Sequence, residues 1–77
     1  MSGWYTIRID AWPYQTGDGQ KADQERAGPR EREFTSKHAD FDGAYAAAVV
    51  LQAGIKSSGH VYEAPIRSIT YRGEMRP

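Results

Sequence analysis

Trp4-Tyr5-Thr6-Ile7-Arg8-Ile9-Asp10-Ala11-Trp12 alternates strictly, with Tyr5, Ile7, Ile9 and Ala11 on one side and Trp4, Thr6, Arg8, Asp10 and Trp12 on the other. Successive side chains of a strand point to opposite faces, so this stretch predicts a strand with one oily face and one mixed face bounded by two tryptophans. Pro13 cannot donate to a ladder, and Thr16-Gly17-Asp18-Gly19 is turn chemistry, so the strand should end near Trp12. Beyond it, residues 15–29 read as a polar, flexible loop: the run Gln20 to Ala27 has no apolar stripe with which to dock. A loop of this length is a candidate for ordering on a partner or a tolerated surface insertion.

Arg30 to Ala39 reads as a second strand, with Phe34, Ser36 and His38 on one side and Glu33, Thr35 and Lys37 on the other. Its Arg30-Glu31-Arg32-Glu33 run suits an exposed edge. A helix follows, with Asp40 as N-cap, Asp42 in the first turn where the dipole favours an acid, and Gly54 placed to stop it. Phe41, Ala44, Ala48, Leu51 and Ile55 recur at helical spacing and should pack on Tyr5, Ile7, Ile9 and Phe34. No residue from Gly43 to Ile55 is charged, so the outward side, Ala46, Val50 and Ala53, is apolar as well. It is harmlessly exposed alanine-rich surface, or it is covered by the long loop or by a second chain.

Lys56-Ser57-Ser58-Gly59 is a turn, His60 to Arg72 the last strand region, interrupted at Pro65, which implies a bulge or an edge position, and residues 73–77 a tail. Strand one, free of proline, is the central candidate. The predicted fold is a single α+β domain over residues 1–77: a three-stranded antiparallel sheet of order 2-1-3 with one helix on one face, a ββαβ plan in two layers.

The totals narrow the class. A chain of 77 residues buries only roughly 60–65% of its unfolded surface, so the core is thin. With 39% hydrophobic and 26% charged residues the chain is expected to fold, while a mean hydropathy of −0.74 implies much loop. The absence of cysteine excludes a disulfide scaffold and thiolate chemistry and fits a reducing cytoplasm. No apolar run is long enough to span a membrane, and nothing at the N-terminus reads as an export signal. A cytoplasmic location is therefore expected.

Ten acids and ten bases cancel, which argues against a general nucleic-acid binder. The cancellation is uneven: residues 10–42 carry a net charge of −3 and residues 43–77 a net of +2, with Arg8 supplying the rest.

Catalytic and metal signatures are weak. His38 and His60 lie on different elements with no ligand-spaced partner. Glu31 and Glu33 would share a strand face but lack the walled cleft that paired-carboxylate chemistry needs, and Asp40 and Asp42 are explained by helix capping. The Thr16 to Gln20 turn lacks the Lys-Ser/Thr of a phosphate loop, and Ser57 and Ser58 have no base beside them. No enzyme activity, cofactor or metal is expected.

A single helix covers one sheet face, so Trp4, Arg8, Asp10, Trp12, Glu31, Glu33 and Lys37 are expected together on the bare face as the partner-binding residues. Tryptophan and arginine dominate protein interfaces, while aromatics on a bare sheet also stack single-stranded bases. Asp10, Glu31 and Glu33 on that surface favour a protein partner over direct nucleic-acid contact. The indoles would otherwise be covered by the loop or tail of the same chain. A monomer is expected ahead of a homodimer.

The strand-to-helix junction Ala39-Asp40-Phe41-Asp42-Gly43-Ala44, with Ala48 one turn on, and the ββαβ plan over nearly the whole chain resemble the small phage-encoded anti-CRISPR proteins. The junction also resembles antitoxins of the HicB type, although the short hairpin with a Gly-Tyr pair before the helix is missing. The anti-CRISPR resemblance implies inhibition by binding to a type I CRISPR surveillance complex (Cascade), with a leaning to type I-C, so that target DNA is kept out. The net charge of zero departs from the acidic, DNA-imitating members of the family. What it implies here is a local contact, with Asp10, Glu31 or Glu33 meeting lysines that hold DNA and Trp4 or Trp12 as anchor. The alternative is a small antitoxin-like or nucleic-acid-binding module.

Overall fold

The computed structural model describes residues 1–14 and 28–77, so the loop expected over 15–29 falls almost wholly outside the described residues. Strand β1 (Gly3–Pro13) lies in the centre of an antiparallel sheet. Strand β2 (Arg30–His38) pairs along one side of it, from Gly3 opposite His38 to Ala11 opposite Arg30. Strands β3 (Val61–Glu63) and β4 (Ile66–Gly73) pair along the other side. Helix α1 (Phe41–Ser57) crosses one face between β2 and β3, giving the small α+β fold with order 2-1-3 and the third position divided at Pro65.

That division costs the sheet little, because the chain satisfies its own backbone around the proline. The Asp10 amide donates to the Pro65 carbonyl at 3.0 Å, and Gln52 on the helix donates its side-chain amide to the buried Ala64 carbonyl at 2.7 Å. β4 also holds two extra residues against β1. Tyr71 faces Tyr5 while Gly73 faces Trp4, and Ser68 faces Arg8 while Ile66 faces Ile9, so Arg72 and Arg67 are each left without a directly opposed residue. Such bulges re-aim side chains, and here both carry an arginine.

The oily side of β1 forms the core as the alternation predicts. Tyr5, Ile7, Ile9 and Ala11 are buried, under Ala44, Ala48 and Ile55 of the helix and beside Ala64. Phe34, Leu51, Val61, Ile66 and Ile69 pack around this cluster half-buried. Alanines at 44 and 48 let the helix lie close over the central strand.

The helix departs from expectation at both ends. Gly54 does not stop it: the helix continues through Ser57, because Ile55 is drawn into the core and its burial outweighs the ~1 kcal/mol that glycine costs in a helix interior. Termination falls to the serines, with Ser58 donating its amide and hydroxyl to the Ile55 carbonyl and Ser57 its hydroxyl to that of Gly54. At the start, Asp40 accepts from the Gly43 amide at 2.8 Å as expected of an N-cap. Phe41, however, is 51% exposed rather than in the core. It begins a second stripe with Tyr45 and Val49, one turn apart each, that faces outward.

Candidate functional site

The face without a helix is a cross-strand polar network. It has three rungs, the first and third running across β4, β1 and β2 and the second joining β1 to β2 alone. In the first, the Arg72 guanidinium donates to Thr6 Oγ1 at 3.1 Å, and Thr6 Oγ1 shares a hydrogen bond of 3.1 Å with Thr35 Oγ1. Thr6 is thereby only 2% exposed although it points away from the core. In the second, Arg8 lies 3.2 Å from Glu33 and 3.5 Å from Glu31. In the third, Arg67 reaches across β1 to Glu31 at 3.1 Å and to Asp10 at 3.8 Å. Asp10 Oδ1 is shielded and accepts no hydrogen bond, so its compensation is the charge of Arg67.

The two bulges explain the reach of these arginines. The expected acids Asp10, Glu31 and Glu33 do lie on the helix-free face with Arg8 and Lys37. Each of them, though, already faces an arginine of its own chain, two of those contacts coming from Arg67, which alternation alone does not single out. These pairs are half-exposed, so each contributes little to stability. Their effect is to neutralise the middle of the face.

The two tryptophans do not sit together. They lie eight steps apart along the strand, roughly 26 Å at about 3.3 Å per residue, so they mark opposite ends of the face. At one end Trp4 is half-buried, with Lys37 directly opposite on β2 and the Arg76 guanidinium 5.4 Å above its ring. The tail expected at 73–77 therefore partly covers this indole. Among the described residues Lys37, Arg72 and Arg76 pair with no carboxylate, so this end is cationic and aromatic. At the other end Trp12 is half-buried beside Tyr62, 6.5 Å between ring centres, and Tyr62 in turn lies 5.6 Å from the exposed ring of Tyr14.

The remaining polar candidates are accounted for structurally. His38 shares a 2.7 Å hydrogen bond with Ser36 and lies near the Tyr5 ring, while His60 is exposed on the turn before β3. Among the described residues no three His, Asp or Glu side chains gather as metal ligands. Tyr5 donates to the Met1 carbonyl, and burial first, then Tyr71 and Asp40, hold its phenol above the ordinary tyrosine range. No helix of the described residues is long and apolar enough to cross a membrane.

On the helix side, a single helix about 10–12 Å wide cannot span the sheet. A groove of about 530 Å³ opens between α1 and β2, floored by Ala11, Phe34, Leu51 and Ile55 and edged by Arg30 and Arg32. It continues along the β2 edge past Ala47 and Val50. The residues that sequence reading missed here are Arg30 and Arg32, which the β2 register places on the helix side, opposite Ala11 and Ile9.

No protein family model, curated protein or solved structure matches this chain.

Proposed function

We propose that this chain acts by binding, docking its helix-free face on a protein subunit of a type I CRISPR surveillance complex and so keeping target DNA out. The observation that supports binding is the placement of both indoles, incompletely buried, on the sheet face that no helix covers. Partly exposed tryptophans beside arginines are the side chains that most often anchor interfaces. The CRISPR partner, with its leaning to type I-C, rests on the resemblance carried by the Ala39 to Ala48 junction and the ββαβ plan.

The arginine pairing of Asp10, Glu31 and Glu33 shapes how such a contact works. A partner's lysines would meet carboxylates that are already compensated, so imitation of DNA charge is not the mechanism. Binding energy falls instead to Trp4 with Lys37 at one end and to Trp12 at the other, and the ladder between them supplies orientation.

A gel shift of target duplex by a purified type I-C surveillance complex tests this. Adding the chain should abolish the shift, and Trp4→Ala should restore it while the chain stays folded, its unfolding midpoint falling far less than that of Ile7→Ala. An undiminished shift at saturating excess of the chain refutes the reading. The cations around Trp4 favour a second reading, stacking of single-stranded nucleic acid on that indole. It predicts that the chain alone retards a labelled oligonucleotide and that salt weakens the retardation.

A further inference from the structure

β1 occupies one side of β2 along all nine residues of that strand, and among the described residues nothing pairs with its other side. An unpaired edge of this length is an open template for another strand; β2 has no proline or bulge to blunt it, and its charged residues, Arg30 to Glu33 and Lys37, exclude only those partners and registers in which like charges meet. Along the same edge runs the apolar groove over Phe34, Ala47 and Leu51, beside Val50, which is 71% exposed. The sequence over 15–27 has two alanines as its only apolar residues, so it lacks side chains suited to fill that groove.

The residues of β2 complement their own reversal. Two copies related by a two-fold axis perpendicular to the sheet pair their edges antiparallel and keep both helices on the same face, so residues of like face meet. With Phe34, the middle residue of β2, on the axis, every residue of the strand is paired. On the helix side Phe34 meets Phe34, Arg32 meets Ser36 and Arg30 meets His38. On the other side Glu33 meets Thr35, and Glu31 meets Lys37 twice over. Lys37 has no carboxylate partner among the described residues, and this pairing sets it opposite Glu31; since Arg8 and Arg67 already share that carboxylate, the pair fixes register by avoiding a like-charge clash more than it adds affinity.

Neighbouring registers are worse. An axis at Glu33 opposes two like carboxylates, and one at Arg32 opposes two guanidiniums. An axis at Thr35 also sets Lys37 opposite an acid, Glu33, twice over, but it leaves Arg30 and Glu31 overhanging and moves the two Phe34 rings off the axis, so the Phe34 register is distinguished by pairing all nine residues and by its central aromatic pair.

We propose that the chain forms a homodimer through antiparallel β2–β2 pairing centred on Phe34, with a second copy of this chain as the occupant of the edge. The two sheets become one, the grooves close toward each other across Phe34 and Val50, and the helix-free faces merge into a platform that carries each tryptophan twice. The dimer stands independently of what that platform binds, and it departs from the monomer that the sequence favours.

The chain contains no cysteine, which gives a direct test. Directly opposed residues have Cα atoms about 4.5–5.5 Å apart, within the span of a disulfide, so Phe34→Cys should yield a covalent dimer on mild oxidation. Thr35→Cys should not, because its own mate lies on the diagonal at about 7–8 Å. Since Phe34 contributes to the core, a second test uses charge. Lys37→Glu and Glu31→Lys should each sediment as a monomer, and a one-to-one mixture, one chain labelled with nitrogen-15, should form the mixed dimer in native mass spectrometry. Wild-type chain should sediment at twice its mass of 8.6 kDa. A wild-type monomer across the micromolar range, a dimer indifferent to Lys37→Glu, or cross-linking through position 35 in place of 34 overturns the proposal.

Discussion

Replacing Ile7 by alanine probes the division of β1 into a covered and an uncovered face. Ile7 is fully buried, with Phe34 and Ile69 opposite it on the flanking strands. The change removes three methyl-sized groups, about 2.4 kcal/mol at ~0.8 kcal/mol each. The cavity left in so thin a core raises the cost into the ~2–5 kcal/mol range seen for such truncations. Total stability for a chain of this length is on the order of 4–12 kcal/mol. The loss should therefore lower the thermal midpoint by more than about 10 °C, taking roughly 4–8 °C per kcal/mol for small domains. Arg8→Ala is the matched control. Arg8, next to Ile7 in sequence, points to the other face, its side chain is 46% exposed and it meets Glu31 and Glu33 in water, so its loss should cost less than about 1 kcal/mol. Urea unfolding followed by far-ultraviolet circular dichroism measures both. If Ile7→Ala costs no more than Arg8→Ala, the core does not lie where the alternation places it.

Three further outcomes follow from individual contacts. A Cβ at Gly3 would lie 2.8 Å from the Tyr71 ring and 2.9 Å from the Gly73 carbonyl carbon, so Gly3→Ala should pry β4 from the start of β1 and lower the urea midpoint. Asp40→Ala removes the acceptor for the Gly43 amide and should cost about 0.5–2 kcal/mol, read from the same unfolding curves. Burial holds the Tyr5 phenol above the ordinary value of 10.0. A raised folded value means that the native state keeps this proton longer than the unfolded chain, so the Tyr5 contribution to stability is complete below about pH 10 and is lost as pH rises through the folded value. Tyr5→Phe should flatten that alkaline decline in a series of melts.

Much of the fold is legible in the chain because one strand is so regular. Tyr5, Ile7, Ile9 and Ala11 form a pattern that only a half-covered strand satisfies, and Asp40 marks the start of the helix. Three features were not legible, each for a tertiary reason. Gly54 reads as a stop in isolation, but the burial of Ile55 carries the helix past it. Phe41 fits the apolar spacing, yet the helix orientation leaves it facing outward. Pro65 signals a bulge or an edge position in the last strand region, but nothing in Ile66 to Arg72 shows that the extra residues fall at Arg67 and Arg72. These two arginines decide the chemistry of the candidate site, because Arg67 crosses the face to neutralise Asp10 and Glu31. The residues that β1 and β2 place on this face were therefore legible, the β4 arginines that neutralise them were not, and the separation of Trp4 from Trp12 follows only from the length of β1.

Hydroxyl-radical footprinting of the free protein tests most directly whether the sheet is open on one side. Trp4, Trp12 and the exposed Tyr14 should be oxidised, with Tyr5, on the helix side of the same strand, left unmodified. Labelling of Tyr5 at the rate of Tyr14, with both indoles silent, would contradict an open face.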